Sequence, residues 1–482
     1  MTASISAWKF LLQFSATYFD DESIWVRPGP SASIRVLPAV RYRRKLRRAE
    51  IMGAMATASS PRPPARGARA TTLVRRAKLW LIPTILCALV ALVLSLLYMG
   101  GIINPNGNLH RLPIGLVNED QGAPPPGQPQ NLGTQITAAI PAQTPGTTVQ
   151  WRPLTAAQAQ DQLATGKIYG ALVVPKDFTA SIEALASSRA TTRPTLTVLT
   201  NPGMGSLGSS LASQISQGAA HQASLTIGKG LAQAAAGQGA NATTQTLLSD
   251  PVTVTTQQGH PIGAHSGLGL SAFYYTLLLV LTGFIGANII HNGVDTALGY
   301  ADSELGPWHT RRPTVPINRT QTLLLKMTMT SFIVILTTTL VMVATIAILG
   351  MDASHLPLLW IFSYCASLAV GLGVQAINAA FGGFGQLVAM FVFIALALPS
   401  SGATVPLQAL PGFYRFLSVF EPMRQLSDGV RAILYFDARA DAGLTRAWIM
   451  IAIAWAAALL FGFGMTFYYD RKGLHRLTPQ PE

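Results

Sequence analysis

Six long apolar runs interrupt the chain, and the mostly polar stretch 104–267 separates the first from the second. Residues 79–99 (LWLIPTILCALVALVLSLLYM) carry no charge and supply the roughly 20 apolar residues a helix needs to cross a bilayer. The second run, 268–290, begins only after that stretch. Four more follow closely, at 323–349, 358–379, 387–398 with its flanks, and 448–469. A soluble enzyme is not built this way. The pattern predicts an α-helical polytopic membrane protein of six transmembrane helices, with a mixed α/β extracytoplasmic domain inserted between helices 1 and 2.

Composition agrees: charged residues make up 11% of the chain, against about 25% in soluble domains. The net charge of +14 invites a nucleic-acid reading, but most of the excess lies in residues 1–78, ahead of the first helix. That is where the positive-inside rule places it, so no nucleic-acid partner is expected. The basic cluster at 41–48 and the Ser/Pro/Arg/Ala-rich stretch 58–70 cannot bury a core, and the tail reads as a disordered cytoplasmic segment. Met52 and Met55 leave a second reading open, an over-extended start. Cys87 and Cys365 both fall inside predicted membrane helices and form no disulfide framework.

Arg75, Arg76 and Lys78 precede the first helix, and Arg471, Lys472 and Arg476 follow the last. Both termini are therefore expected in the cytoplasm of a cell (inner) membrane protein. The expected segments are a tail at 1–78, helix 1 at 79–103, the exterior domain at 104–267 and a five-helix part at 268–470. A cytoplasmic tail at 471–482 completes the chain. Loop 291–322 would be cytoplasmic and loop 402–447 exterior. The glycine-rich turn Gly382-Gly383-Phe384-Gly385 links the fourth and fifth helices.

Within 104–267, β-rich runs at 113–117, 148–151, 169–174, 196–199 and 252–255 alternate with helical stretches at 156–165, 178–187 and 206–235. Such alternation predicts an α/β unit. Residues 124–129 and 237–244 read as linkers. In Asn118-Glu119-Asp120-Gln121-Gly122, Asn or Asp bonds its own backbone and Gly supplies positive φ, so the group reads as a turn. In Pro175-Lys176-Asp177-Phe178, Asp177 is placed to cap the following helix. Turn and cap chemistry accounts for these residue types better than ligand contact does.

These same motifs carry a resemblance. Residues 112–122 (LPIGLVNEDQG) and 166–182 (GKIYGALVVPKDFTASI), with Thr200-Asn201-Pro202, resemble the exterior-domain signatures of type-2 ABC exporter permeases. They resemble in particular the related YhgE/Pip (phage infection protein) group, and a shorter branch that includes the fungal nitrosoguanidine-resistance protein. The likeness spans about 79–470. It implies that Asn118, Asp120, Gly122, Pro175, Asp177 and Phe178 are signature turn and cap positions. It also implies a permease subunit of an export system, a homodimer or heterodimer, and a separate ATPase subunit that binds ATP, with no cofactor on this chain. In that family the loop after the second helix presents a short helix to the ATPase. Here the matching stretch 294–318 holds Asp302, Glu304, Trp308, Arg311 and Arg312. An ordinary positive-inside loop accounts for the same arginines.

The membrane helices carry almost no ionisable residues by sequence: Lys326 lies near one end of the third, and His291 and Asp295 follow the second. That argues against coupling to protons or sodium through a buried carboxylate. Neutral polar residues, chiefly Thr337, Gln375, Asn378 and Gln386, bond helix to helix or line a polar path. No G-x-x-x-x-G-K-[ST] and no G-x-S-x-G occurs, so the chain is expected not to be an enzyme and to bind no metal. Apolar positions Phe416, Phe420, Leu426, Val430 and Leu434 suggest amphipathic or re-entrant helices before the last crossing. The expected function is outward movement of lipophilic compounds or envelope components across the lipid bilayer. The alternative is a non-transporting membrane scaffold or receptor whose exterior domain binds a partner.

Overall fold

A computed structural model describes residues 77–125, 128–186, 193–237, 248–474 and 476. The expectations for most of the basic tail and for most of the linker 237–244 lie outside these residues.

The first helix, α1 (Ala77–Ile102), leads into a five-stranded sheet. Its elements run β1 (Leu112–Asn118), α2 (Leu132–Gln143), β2 (Val149–Leu154), α3 (Ala156–Ala164), β3 (Gly170–Val174), α4 (Phe178–Ala186), β4 (Thr195–Thr200), α5 (Ser206–Gly237) and β5 (Thr253–Gln258). Each of the five β-rich runs in the sequence falls on one of these strands. Helix α2 was not anticipated, because Thr134, Thr137 and Pro141 weaken its propensity. It forms because Asn131 caps it and because Leu132, Ile136 and Ile140 sit on one buried face.

The strand order is β2-β1-β3-β4-β5. Strand β1 runs parallel to both its neighbours, β4 is antiparallel to β3, and β5 is parallel to β4. Leu116, Leu172, Val174, Leu196 and Val198 bury one face against α2, α4 and α5. Ala171, Leu154 and Leu199 bury the other against Leu163 of α3. With both faces covered, β1 reads as a continuous apolar run rather than an alternating one.

The remaining elements are α6 (Ser271–Ala297), a hairpin of β6 (Ser303–Leu305) and β7 (Trp308–Thr310), α7 (Arg319–Met342), α8 (Leu356–Phe381), α9 (Gly385–Met390), α10 (Ala397–Ser400), α11 (Gly412–Leu417), α12 (Pro422–Tyr435) and α13 (Leu444–Arg471). Five stretches are long and apolar enough to cross a membrane: Thr84–Ile102, Ser271–Ala297, Arg319–Ile348, Leu356–Ser400 and Leu444–Arg471. They mark the chain as a mostly helical membrane protein carrying a small sheet.

The sequence divides Leu356–Ser400 into two runs, and the structure breaks it at the same place. Gly382 takes φ 63° and ψ −137°, a conformation open to glycine. Beyond it the chain turns back: Phe393 packs with Ala369 and Val370 of α8. In a straight helix those residues would stand about 30 Å or more apart, at 1.5 Å per residue.

Sheet and helices meet through α12 and the turn after it. The Tyr435 hydroxyl bonds Ser271 Oγ at 2.7 Å and accepts from the Ala272 amide at 3.1 Å. Asp441 pairs with Lys167 at 2.8 Å, and Arg439 pairs with Asp161 at 2.8 Å.

Candidate functional site

Helix α6 does not stop at Ile290, where the long apolar run ends. It runs two further turns, to Ala297, so His291 and Asp295 lie within it rather than after it. They stand one turn apart on the face that meets α7. There Lys326, only 3% exposed, donates from Nζ to Asp295 Oδ1 at 2.7 Å and to His291 Nδ1 at 3.0 Å. With Nδ1 accepting, the ring carries its proton on Nε2, 3.4 Å from Asp295 Oδ2. Arg476, beyond α13, closes the group by donating from a guanidinium nitrogen to Asp295 Oδ1. It also stacks over Tyr300, 5.0 Å from the ring centre.

The expectation of almost no ionisable groups within the membrane helices is therefore corrected. Three of them, His291, Asp295 and Lys326, converge, Arg476 joins them from beyond α13, and mutual pairing is what lets the helices carry the three inward. Asp470, at the end of α13, also accepts from the Arg319 and Thr320 amides and the Thr320 hydroxyl at the start of α7. The ends of α6, α7 and α13 are thus tied by two carboxylates.

Three of the four neutral polar candidates gather on α6. Gln375 Nε2 donates to Ala287 O at 3.0 Å and Thr330 Oγ1 at 3.1 Å. Asn378 donates to Asn288 at 3.0 Å, and Gln386 to Asn292 at 2.9 Å. These are interhelical bonds of the kind that hold membrane helices together. Thr337 bonds Val334 O within its own helix and does not join them.

A cavity of about 350 Å³ opens between α8, the returning arm, α12 and α13. Its walls are apolar and largely small: Ala369, Gly373, Val392, Ile451, Ala454 and Ala457. Phe420, Pro422 and Gln425 border it where α12 begins. Glu421 starts that helix, and its Oε2 accepts from the Met423 amide at 2.8 Å. Burial pushes its carboxyl up to about 8, and the Met423 bond pulls the other way without offsetting it. The sequence places amphipathic helices and Glu421-Pro422 in this loop but gives no sign that Glu421 and Gln425 are buried. The spacing of Leu426, Val430 and Leu434 marks the buried face, but nothing in it marks which polar residues are drawn in with them.

The signature residues serve the sheet. Asp120 accepts from the amides of Gly122, Gly133 and Thr179 at 3.0–3.2 Å and from the Thr179 hydroxyl. Asn118 Oδ1 accepts from the Asp120 amide, and Asn118 Nδ2 donates to Thr134. Asp120 thus binds the Thr179 amide in the first turn of α4, while Asp177 accepts from Ser181 Oγ. Capping reaches α4 from across the sheet. Gly122 is not among the positive-φ glycines, which corrects the turn reading. It is needed because a side chain there would stand 2.6 Å from Thr179 Cβ. Pro175 O accepts from the Phe178 amide at 3.2 Å, and Phe178, the first residue of α4, is fully buried.

The stretch matching an ATPase-contact helix forms the β6–β7 hairpin instead. Asp302 lies 3.5 Å from both His309 and Arg311, Glu304 faces His309 across the strands, and Trp308 is 73% exposed. Gly299 and Gly306, both at positive φ, allow the turns that β pairing needs here. Arg312 follows the hairpin. Among the described residues no group of three or more His, Cys, Asp and Glu side chains is placed to hold a metal ion.

A family model described as "Protein of unknown function (DUF3533)" matches residues 82–454. No curated protein and no solved structure matches the chain.

Two predictions follow from these charges. Asp295→Ala leaves both Lys326 and Arg476 without their carboxylate and should cost about 3–5 kcal/mol. Lys326→Met leaves Asp295 paired with Arg476 and should cost less. Thermal unfolding of the two purified variants in detergent measures the order; the reverse order would remove Asp295 from the centre of the cluster. Glu421 binds its proton more tightly folded than unfolded, so its contribution falls as pH rises between 4.5 and about 8. The slope is about 1.4 kcal/mol per pH unit at most. Glu421→Gln should therefore unfold at a higher temperature than wild type near pH 9, and at about the same temperature near pH 4.

Proposed function

Because the chain belongs to DUF3533, a family of unknown function, membership supplies no activity, and we propose from the geometry that it is a permease subunit that moves lipophilic molecules or envelope components outward. The observation that carries this is the apolar cavity of about 350 Å³ between α8, α12 and α13. Cavities of this size and lining take small apolar molecules. Its wall includes α12, whose last residue bonds His260 in the segment between β5 and α6.

The resemblance to type-2 ABC exporter permeases of the YhgE/Pip kind supplies the rest of the reading. Two copies, identical or not, form the pathway, and a separate ATPase subunit hydrolyses ATP. The β6–β7 hairpin, with Trp308 exposed and Arg311 and Arg312 adjoining, contacts that subunit. The break at Gly382 makes Leu356–Ser400 two arms of a hairpin, which supports a reading of six passages; the basic flanks of the first and last helices support the reading that both termini are cytoplasmic and the sheet is outside.

A second reading, a receptor or scaffold, rests on a different observation. A groove of about 550 Å³ lies between α2, α4 and α5, lined by Ile136, Ile140, Ile182 and Leu231. A partner held there would make the sheet the working part.

Single cysteines at Ala180 and Lys472 test orientation. On intact cells an impermeant thiol reagent should label the Ala180→Cys protein and spare the Lys472→Cys protein; the opposite pattern reverses the assignment. Transport is tested in vesicles containing the protein and its ATPase. ATP should drive uptake of a lipophilic dye, and Ala454→Phe, which fills the cavity, should slow it about tenfold or more without reducing the amount of protein. Arg311→Glu with Arg312→Glu should weaken co-purification of the ATPase. Dye movement driven by a proton gradient alone would overturn the ABC reading and turn attention to the Asp295 cluster.

A further inference from the structure

The cavity between α8, the returning arm, α12 and α13 is open on one side. Ile453 and Phe461 of α13 line it and are 54% and 41% exposed, and Phe420 at its edge is 65% exposed. Both α13 residues belong to a stretch long and apolar enough to cross the membrane, so the opening faces lipid rather than water. Along α13 the wall runs from Met450 to Phe461. At 1.5 Å per residue that is about 16 Å, close to the depth of one leaflet of a hydrocarbon core about 30 Å thick. A slot of that length, open sideways, takes one chain of a lipid while the rest of the molecule stays in the bilayer.

The end of the slot nearest the sheet is charged. Arg446 lies in the first turn of α13, just after Asp441, which pairs with Lys167 beside β3. It shares a helix face with the lining residues Met450, Ile453 and Ala457, four, seven and eleven residues on. Arg446 is exposed and makes no hydrogen bond or ion pair among the described residues. At the start of a crossing helix such a side chain reaches the headgroup level. Arg424 stands in the first turn of α12 between two residues that border the cavity, Pro422 and Gln425. Its Nη1 donates to Ser418 O at 3.3 Å and Ser418 Oγ at 3.2 Å.

These arginines have too little negative charge around them. Asp428 lies 3.8 Å from Arg424 and 3.9 Å from Arg431, and the charge of Arg446 acts on the same carboxylate. Three guanidinium groups thus share one carboxylate. Glu421 is not a second one, because burial pushes its carboxyl up to about 8 and leaves it protonated at neutral pH. Arg431 already donates to Ala403 O and is 7% exposed, so Arg446 and Arg424 are the two within a ligand's reach. A purely apolar occupant would fill the slot and leave this excess charge unanswered. A free anion would answer the charge and leave the slot empty. A lipid phosphate with its acyl chain does both.

We infer that the cavity holds one acyl chain of a phospholipid from the leaflet on the sheet side, with Arg446 and Arg424 binding its phosphate. Arginine suits this contact, because its planar fork of donors matches phosphate oxygens two at a time. The inference deepens the permease reading and rests on it for the cavity's being the substrate site. It names the envelope component as a phosphate-bearing lipid. Ala454 and Ala457, small residues along the wall, leave the width a chain needs.

Binding of tritiated myristoyl lysophosphatidic acid tests this against tritiated monomyristoylglycerol, which has the same chain and glycerol but no phosphate. Both are measured on the full-length protein in dodecyl maltoside, a detergent without phosphate. The phosphate lipid should bind about tenfold more tightly or better, the amount expected for hydrogen bonds between charged groups. Arg446→Gln should bring the two affinities together and leave that of monomyristoylglycerol unchanged. Ala454→Phe should abolish saturable binding of both, and an equal concentration of inorganic phosphate should displace neither. The ratio in the unaltered protein needs no variant, so it stands even if one fails to fold. Equal binding of the two lipids, a ratio untouched by Arg446→Gln, or displacement by inorganic phosphate would overturn the lipid-phosphate site while leaving the cavity a lipophile site. Absence of saturable binding by either lipid, or binding untouched by Ala454→Phe, would overturn the cavity as the substrate site, and the permease reading drawn from it.

Discussion

Helices α6 and α8 are joined by a row of side-chain hydrogen bonds that runs nearly their whole length. Tyr275 meets Ser363 at 2.8 Å, Ser367 donates to Leu279 O at 3.0 Å, and Gln375 and Asn378 continue the row. Gln386 extends it onto α9. Apolar contact distinguishes poorly between a neighbouring helix and lipid, so bonds like these, worth about 0.6 kcal/mol each, fix which helices touch and in what register. The other membrane helices depend on that pair. Helix α13 packs on α8, α7 packs against both, and the returning arm beyond Gly382 lies back on α8. The cavity is the space left where the arm and α13 diverge above α12.

Helix α12 joins this frame to the sheet. Its buried face carries Leu426, Val430 and Ile433 into the helical core. Its last residue, Tyr435, bonds the start of α6, and its carbonyl bonds His260 after β5 at 2.7 Å. Arg431 donates to Ala403 O at 2.7 Å, which holds the loop leading out of the returning arm. One helix therefore touches the cavity, the segment that follows β5 and the loop before it.

At the other end of the helices, the charges have a different role. Asp295 sits between Lys326 and Arg476, and Asp470 caps α7. Buried ion pairs add little net stability, but they penalise arrangements in which a member is left alone. The three helix ends are thereby held in one arrangement, next to the exposed hairpin that carries Trp308.

Residue pattern alone located the apolar helices, the break at Gly382 and the five strands, because those features are local: run length, period and glycine. It also read Asn118–Gly122 as a turn, though the reason Gly122 is glycine lies in Thr179, which is distant in sequence. The polar cluster was not legible. Nothing near His291 or Asp295 announces that α6 continues to hold them, since the partner that makes this affordable is Lys326 on another helix. Likewise, 303–310 carries too few residues for its pattern to separate a short helix from a hairpin, and Gly299 and Gly306 decide it through their backbone angles. Gln425 is one glutamine in a helix like any other until Ser418 and Val419 take its nitrogen and leave its oxygen facing no partner. What crosses the bilayer was set by the sequence, because hydrophobic length is additive along the chain. Which polar groups meet, and which are left over, was decided by tertiary structure, because a hydrogen bond needs two partners and their meeting depends on the packing between them.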